Sequence, residues 1–267
     1  MNSKLKTLCL GVGLSLSLQV LAAAQLTDAI TPEVASGLQA KVEARAAKFM
    51  VAAAHPLAVE AGYQVLRQGG SAIDAMVAVQ AMLGLVEPQS SGLGGGAFVV
   101  YYDAKEGRLT SYDGRETAPL NSRPELFQDA QGQSLGFYDA VVGGRSVGTP
   151  GTVKLMATLH QRYGQQPWAQ LLQPAITLAN EGFEVSPRLA GAIAADAERL
   201  GRYPATKKYF FDAEGAPLAA GTRLTNSAYA DTLDALAKQG GEAFYSGKIA
   251  AAIVAAVQSA EGNPGVL

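Results

Sequence analysis

The stretch SSGLGGGAFVVYYD, residues 90–103, packs four glycines into five positions and then runs into seven residues typical of a β-strand. Glycine loops that bind nucleotide phosphates follow a strand and open a helix, so that the helix N–H groups meet the phosphate. Here the glycines follow a helix-like run and open a strand, and no Gly-Lys-Ser/Thr ending is present. The order argues against a nucleotide site and predicts a backbone that passes close to another element.

The strand that leaves the glycines, residues 97–103, is almost continuous in Val, Phe and Tyr. Strands of this composition are usually covered on both faces. A short connection with Gly107 near its end follows, so residues 108–112 are predicted to return antiparallel. The sequence therefore predicts a β-hairpin buried on both sides.

Two helices are predicted before the glycines. Residues 49–53 read as a strand, after which Pro56 stands at the first position of a helix, where proline is tolerated. The next helix has Ser71 as its N-cap and Asp74 three residues later, the pattern of a capping box. This second helix, residues 72–86, is apolar on every side, which predicts burial inside a large protein.

From Pro150 onward most of the chain reads as helix, and no internal repeat or low-complexity linker divides it. One domain is the simplest organisation. Sheets average about five to six strands, yet few strand-like runs are present, so we expect part of the fold to lie elsewhere. The predicted helices cover residues 151–163, 167–181, 187–199, 226–238 and 247–260.

The N-terminus has the pattern of a secretory signal peptide, with Lys4 and Lys6 before an apolar run and Ala22-Ala23-Ala24 as a cleavage site. An anchoring transmembrane helix is the alternative, but the apolar run is short of the roughly 18 residues that a span needs. We therefore expect residues 1–24 to be removed and the product to be periplasmic or secreted, without a membrane segment after cleavage.

Composition excludes several classes of site. The only cysteine, Cys9, lies in the predicted signal peptide, so the mature chain is expected to lack disulfides and thiolate chemistry. The net charge of −2 falls by two when the lysines of that segment are lost, which argues against a nucleic-acid partner. With only two histidines, no metal site is expected, and nothing indicates a cofactor.

No complete catalytic set can be assembled from these residues. There is no Gly-x-Ser-x-Gly elbow, and the acids are scattered. His55 is expected to be packed and hydrogen-bonded at a helix start, and His160 to be exposed in mid-helix. Arg115 follows a strand in SYDGRETAP, residues 111–119, where it could hold a carboxylate through two hydrogen bonds. Spacing alone favours the other reading, an exposed arginine paired with its neighbouring acids.

Several stretches together resemble the γ-glutamyltransferase (γ-glutamyl transpeptidase) family. They occur in the family's order from about residue 46 onward, and such a series is far more specific than one glycine cluster. The matching stretches are MVAAAHPLAVEAGYQVLRQGGSAIDAMVA, VEPQSSGLGGGAFVVYYD, DGRETAP, SVGTPGTVKL, QPAITLANEGFEVS and GEAFYSGKIAAAIV.

The resemblance implies an N-terminal-nucleophile hydrolase with a four-layer αββα sandwich, an α+β fold that this chain forms incompletely. Residues 25–267 would be the N-terminal part of the large subunit of a precursor that cleaves itself. The nucleophile would be the N-terminal Thr of the small subunit, outside this chain, so no catalytic residue is expected here. The resemblance also assigns Arg115 to the α-carboxylate of the γ-glutamyl group.

The implied activity is γ-glutamyl transfer and hydrolysis, with glutathione and similar compounds as donors and amino acids or dipeptides as acceptors. The small subunit from the same precursor would be the protein partner. A cephalosporin acylase or an enzyme that handles capsule polyglutamate is the alternative on the same scaffold. A non-catalytic secreted binding protein from a truncated gene is the alternative of another class.

Overall fold

The computed structural model describes residues 42–267, so the predicted signal peptide and the start of the mature chain lie outside the described residues. The described part mixes α-helices with short antiparallel strands, in agreement with an α+β class. Two 3-10 turns lie at Pro124–Phe127 and Gly241–Phe244. The elements are α1 Pro56–Arg67, α2 Ala72–Val86, β1 Ala97–Asp103, β2 Arg108–Gly114, α3 Phe137–Val141, α4 Thr152–Tyr163, α5 Trp168–Glu181, β3 Phe183–Glu184, α6 Pro187–Ala195, α7 Ala197–Leu200, α8 Pro204–Phe210, β4 Arg223–Leu224, α9 Ser227–Gln239 and α10 Gly247–Gln258.

The starts of α1 and α2 are fixed by side-chain caps. Nδ1 of His55 accepts a hydrogen bond from the N–H of Leu57 at 3.2 Å, and burial lowers the pKa of His55, which favours the neutral ring that this cap needs. Ser71 and Asp74 form the predicted capping box. Both helix starts, and the packed, hydrogen-bonded His55, are therefore confirmed.

Helix α2 is the centre of the core. It packs against α1, α4 and α5, and Val77, Ala81 and Val86 have no exposed surface. Its apolar circumference matches this position, because every side of the helix meets another element. The predicted burial of α2 is confirmed.

Strands β1 and β2 form the predicted hairpin, paired from Ala97–Gly114 to Asp103–Arg108. Side chains of its inner face, Val99 and Tyr101 among them, pack against Leu155 and Leu159 of α4. We call the other side the outer face of the hairpin. Its apolar residues Phe98, Val100, Tyr102 and Leu109 are between 61% and 71% exposed.

The expectation that this hairpin is covered on both faces is wrong for the described residues, which cover only one. The reason is that residues 42–267 supply no second sheet to lie on the outer face. Their other strands, β3 and β4, are two residues each and pair only with one another.

The structure corrects two further expectations, a strand at residues 49–53 and the exposure of His160. Residues 49–53 are not a strand, because no neighbouring segment among the described residues pairs with them. His160 is mostly buried, with 18% of its side chain exposed. Its Nε2 lies 2.8 Å from the carbonyl oxygen of Gln166, and its ring meets Trp168 edge-on.

The helix predicted over residues 187–199 is interrupted at Asp196, which separates α6 from α7. Within residues 42–267, no helix is both long and apolar enough to cross a membrane.

Candidate functional site

The candidate site begins where β2 ends, at Arg115. The backbone N–H of Arg115 donates to Oδ1 of Asp113 at 2.9 Å, so a local turn fixes the direction in which the chain leaves the strand. Two residues on, Thr117 and Thr149 exchange backbone hydrogen bonds of 3.2 and 2.8 Å. The segment that carries Arg115 is thus held at both ends.

The glycines of residues 92–96 lie against this segment. A Cβ on Gly96 would come within 2.7 Å of both Cα of Arg115 and N of Glu116, a distance that real Cβ atoms do not reach. The carbonyl oxygen of Gly95 accepts from the N–H groups of Gly151 and Thr152, at 2.9 and 3.1 Å, where α4 begins. The predicted close approach of the glycine backbone to another element is confirmed.

Arg115 lies at the edge of a cavity of about 450 Å³, which we call the Arg115 cavity. The side chain of Arg115 is exposed. Among the described residues, neither Asp113 nor Glu116 forms an ion pair with it, so the pairing that spacing favoured is not observed. The cavity is lined by Gly94, Arg115, Glu116, Thr117, Ala118, Pro119, Ser122, Leu126, Phe127, Arg145, Ser146, Val147 and Gly148.

A second arginine, Arg145, lines the same cavity. Its Nη1 donates to the carbonyl oxygen of Leu126 at 2.7 Å, and its Nε donates to Oδ1 of Asn263. Sequence reasoning missed this residue. The only signal was an arginine placed between glycines in VGGRSVG, residues 142–148, but its place in the lining of the same cavity depends on contacts between segments far apart in the chain.

The buried acids of the described part serve the fold. Oδ2 of Asp74 accepts from the backbone N–H groups of Ser71, Gln165 and Gln166 at 2.8 to 3.2 Å. Glu87, at the end of α2, forms an ion pair with Arg188. Neither side chain lines the Arg115 cavity.

The Arg115 cavity has two arginines in its lining, groups that can hold an anion, and the described residues assemble no complete reaction centre. Within residues 42–267 no group of three or more His, Cys, Asp or Glu side chains is placed to hold a metal ion. Ser91 accepts a hydrogen bond from the amide of Gln80 at 2.8 Å, and no histidine lines the Arg115 cavity. The chemistry that this cavity can perform is to hold and orient a carboxylate.

Comparison with known proteins identifies relatives across most of the chain. The family model described as Gamma-glutamyltranspeptidase matches residues 58–266. The glutathione hydrolase proenzyme of Bacillus subtilis (strain 168) is 41% identical over 214 residues, which are 80% of this chain and 36% of that protein. The Acylase ACY 1 proenzyme of Pseudomonas sp. (strain SE83) is 37% identical over 227 residues, 83% of this chain and 40% of that protein.

Among solved structures, the γ-glutamyltranspeptidase of Helicobacter pylori superposes with a TM-score of 0.79 at 33% sequence identity, and the match covers 84% of this chain and 64% of that one. The chain spans little more than a third of the length of the curated relatives it matches, 36% of the Bacillus subtilis protein and 40% of the Pseudomonas one.

Proposed function

The chain belongs to the γ-glutamyltranspeptidase family, and from that premise we propose that it is the N-terminal part of the large subunit of an enzyme that transfers and hydrolyses γ-glutamyl groups. In this proposal Arg115 binds the α-carboxylate of the γ-glutamyl donor. The observation that carries the proposal is a guanidinium at the edge of a 450 Å³ cavity with no acidic partner among the described residues. Such a group is available for bidentate binding of a carboxylate.

The one-sided hairpin supports a four-layer αββα sandwich for the complete protein. Helix α4 covers the inner face of β1 and β2, which makes one helical layer on one layer of strands. In a complete protein, the apolar face of a sheet is normally buried against another element of the fold. A second sheet from the rest of the polypeptide would cover the outer face. It would also enclose the end of β2, which Arg115 directly follows.

The reaction that we propose is acyl transfer through a covalent intermediate. The hydroxyl of an N-terminal Thr, in the small subunit, attacks the γ-carbonyl carbon of the donor while its own α-amine accepts the hydroxyl proton. The C–N bond of the amide breaks, and the amine product leaves with that proton. Water then releases glutamate, or an amino acid or dipeptide takes the γ-glutamyl group. Arg115 contributes orientation and makes no bond in either step.

The proposal includes the partners and the location. The donors are glutathione and other γ-glutamyl compounds, and the protein partner is the small subunit cut from the same precursor. The signal-peptide pattern in residues 1–24 supports export to the periplasm or secretion. No step of the proposed chemistry requires a cofactor or a metal ion.

Replacing Arg115 by lysine in the full-length gene product tests the site. Lysine keeps the charge but loses the planar fork, so we expect kcat/KM for a γ-glutamyl anilide to fall about 100-fold, the size of a lost charge-assisted hydrogen bond. The matched control is Arg108→Lys, since Arg108 pairs with Glu106 on the exposed hairpin loop at 2.9 Å. Near-normal kinetics of Arg115→Lys would remove the assignment.

A second candidate function is acylase activity on cephalosporin-type amides. The 37% identity to the Acylase ACY 1 proenzyme supports an acylase, and the cephalosporin class is the alternative that the sequence resemblance implies. Assays of the full-length product with a γ-glutamyl anilide, a glutaryl-cephalosporin and polyglutamate would separate the three substrate classes. A reading frame that ends at Leu267 in the gene would contradict every enzymatic proposal and favour a non-catalytic binding protein.

A further inference from the structure

The guanidinium of Arg145 is fixed in place between two segments. It donates to the carbonyl oxygen of Leu126 on one side and to the side chain of Asn263 on the other. Asn263 is itself 7% exposed and anchored to backbone carbonyls of residues 139–142. Because both contacts come from the protein backbone or from an anchored amide, Arg145 has a defined position at the Arg115 cavity.

The charge of Arg145 is not neutralised by the described residues. A guanidinium has five N–H donors, and two of those of Arg145 have acceptors here, neither of which is a carboxylate. Asp139 and Glu261 line a neighbouring cavity with Arg145, and Glu116 lines the Arg115 cavity, yet none of these acids forms an ion pair with it within residues 42–267. A partly buried cation without a counter-ion is suited to bind an anionic ligand.

Two arginines therefore line one cavity of about 450 Å³, and Glu116 is the single acid among the described residues of its lining. This volume lies in the range of small-molecule sites. A ligand with two carboxylates can offer one to each guanidinium group. A γ-glutamyl peptide has two, the α-carboxylate of its glutamyl group and the carboxylate at its C-terminus, whereas a γ-glutamyl anilide has only the first.

We propose that Arg145 binds the C-terminal carboxylate of a γ-glutamyl peptide donor and so makes the Arg115 cavity selective for dicarboxylates. The inference rests on the function proposed above. It assigns to Arg145 a role in donor specificity, by holding the leaving part of the donor, and no part in bond-making.

The test compares two donors that differ in one charge, glutathione and glutathione with its C-terminal carboxylate converted to an amide. In the full-length gene product we expect kcat/KM to be about tenfold or more higher for the acid than for the amide, as for one charge-assisted contact. In Arg145→Gln the ratio of acid to amide should fall close to one. The ratio is internal to each variant, so a purely structural loss, which slows both donors equally, leaves it unchanged.

The matched control is Arg202→Gln. Arg202 lies in the neighbouring cavity, pairs with Glu198 on its own segment and does not line the Arg115 cavity, so the ratio should stay at the wild-type value. Arg145→Lys keeps a charge and provides a second variant if Arg145→Gln does not fold, and its ratio should lie between the two.

A wild-type ratio of one, or an unchanged ratio in Arg145→Gln, overturns the inference. A γ-glutamyl anilide separates this failure from failure of the proposed function. If the wild-type protein turns over the anilide but shows no preference for the acid, only the role of Arg145 is lost. If it turns over no γ-glutamyl donor, the proposed function fails first.

Discussion

At the scale of single residues, the position of Arg115 depends on a neighbour that has no side chain. The backbone at Gly96 lies so close to Arg115 and Glu116 that a Cβ would overlap Cα of one and N of the other. These are main-chain atoms, which cannot move aside as the end of a flexible side chain can. A Cβ on Gly94, two positions earlier, would have open space around it, with no other atom within 4 Å.

The pair Gly96→Ala and Gly94→Ala measures this constraint. We expect Gly96→Ala to lower the free energy of unfolding by about 2 kcal/mol, in the range of overpacking, and to raise KM for a γ-glutamyl donor by displacing Arg115. Gly94→Ala should change the free energy of unfolding by less than about 0.5 kcal/mol. Denaturant unfolding and steady-state kinetics of the full-length protein provide the measurements. Equal effects of the two substitutions on the free energy of unfolding would contradict this account.

The two arginines also show what could be predicted for the site. The place of Arg115 directly after a strand can be predicted from the sequence. Its assignment to a carboxylate came from the family resemblance, because spacing alone favoured an exposed arginine paired with its neighbouring acids. Its lack of an acidic partner could not be predicted, since Asp113 and Glu116 are close in sequence. In the described part of the chain Oδ1 of Asp113 accepts from the backbone N–H of Arg115, and neither acid forms an ion pair with the guanidinium. Arg145 reaches the same cavity through Leu126 and Asn263, which are 19 and 118 positions away in the chain.

At the scale of elements, local signals predicted the helices and missed what connects them. Capping residues and the apolar pattern were sufficient to predict α1 and α2, and the run of Val, Phe and Tyr was sufficient to predict the hairpin. No sequence pattern indicated the structural role of the loop between α4 and α5. Its backbone N–H groups at Gln165 and Gln166 donate to Asp74 at the start of α2, so one carboxylate completes a capping box and also ties three helices together.

Asp74→Asn tests this double role. Asp74 is fully buried. Asparagine has no charge and keeps only one acceptor oxygen, so the three N–H groups lose their charged partner and an NH2 group replaces the oxygen that Gln165 N–H also meets at 3.2 Å. We expect the free energy of unfolding to fall by about 2 kcal/mol or more, as for a buried hydrogen bond to a charged group. Asp231→Asn, at an exposed position of α9, is the matched control and should be nearly neutral. A midpoint of denaturation that is the same in both variants would argue against the tie.

At the scale of the whole molecule, the exposed outer face of the hairpin is the feature that residues 42–267 do not explain. The uninterrupted apolar composition of β1 predicted two covered faces, and the described residues cover one. The amino-acid composition of a strand suits the surroundings that the strand has in the complete protein. It therefore contains information about contacts with other parts of the polypeptide. The proposed second sheet accounts for the exposed Phe98, Val100, Tyr102 and Leu109.

Val100→Asp in the full-length gene product tests whether the outer face is covered there. Val100 is 71% exposed in residues 42–267, so an aspartate would be harmless if this exposure persisted. Under a second sheet the charge would be buried without a partner, and we expect a loss of about 3 kcal/mol or more in the free energy of unfolding. Gln131→Asp, at a polar and exposed loop position off the hairpin, should be nearly neutral. A neutral Val100→Asp would contradict the sandwich.

The anchoring of Asn263 has a consequence for the order of events during biosynthesis. Its amide donates to the carbonyl oxygens of Asp139 and Val142, 124 and 121 positions upstream. A nascent chain emerges from its N-terminus, so the ribosome releases these carbonyls long before the amide that binds them. Contacts over such separations form late. The guanidinium at position 145 therefore cannot take up its observed contacts before translation has passed residue 263.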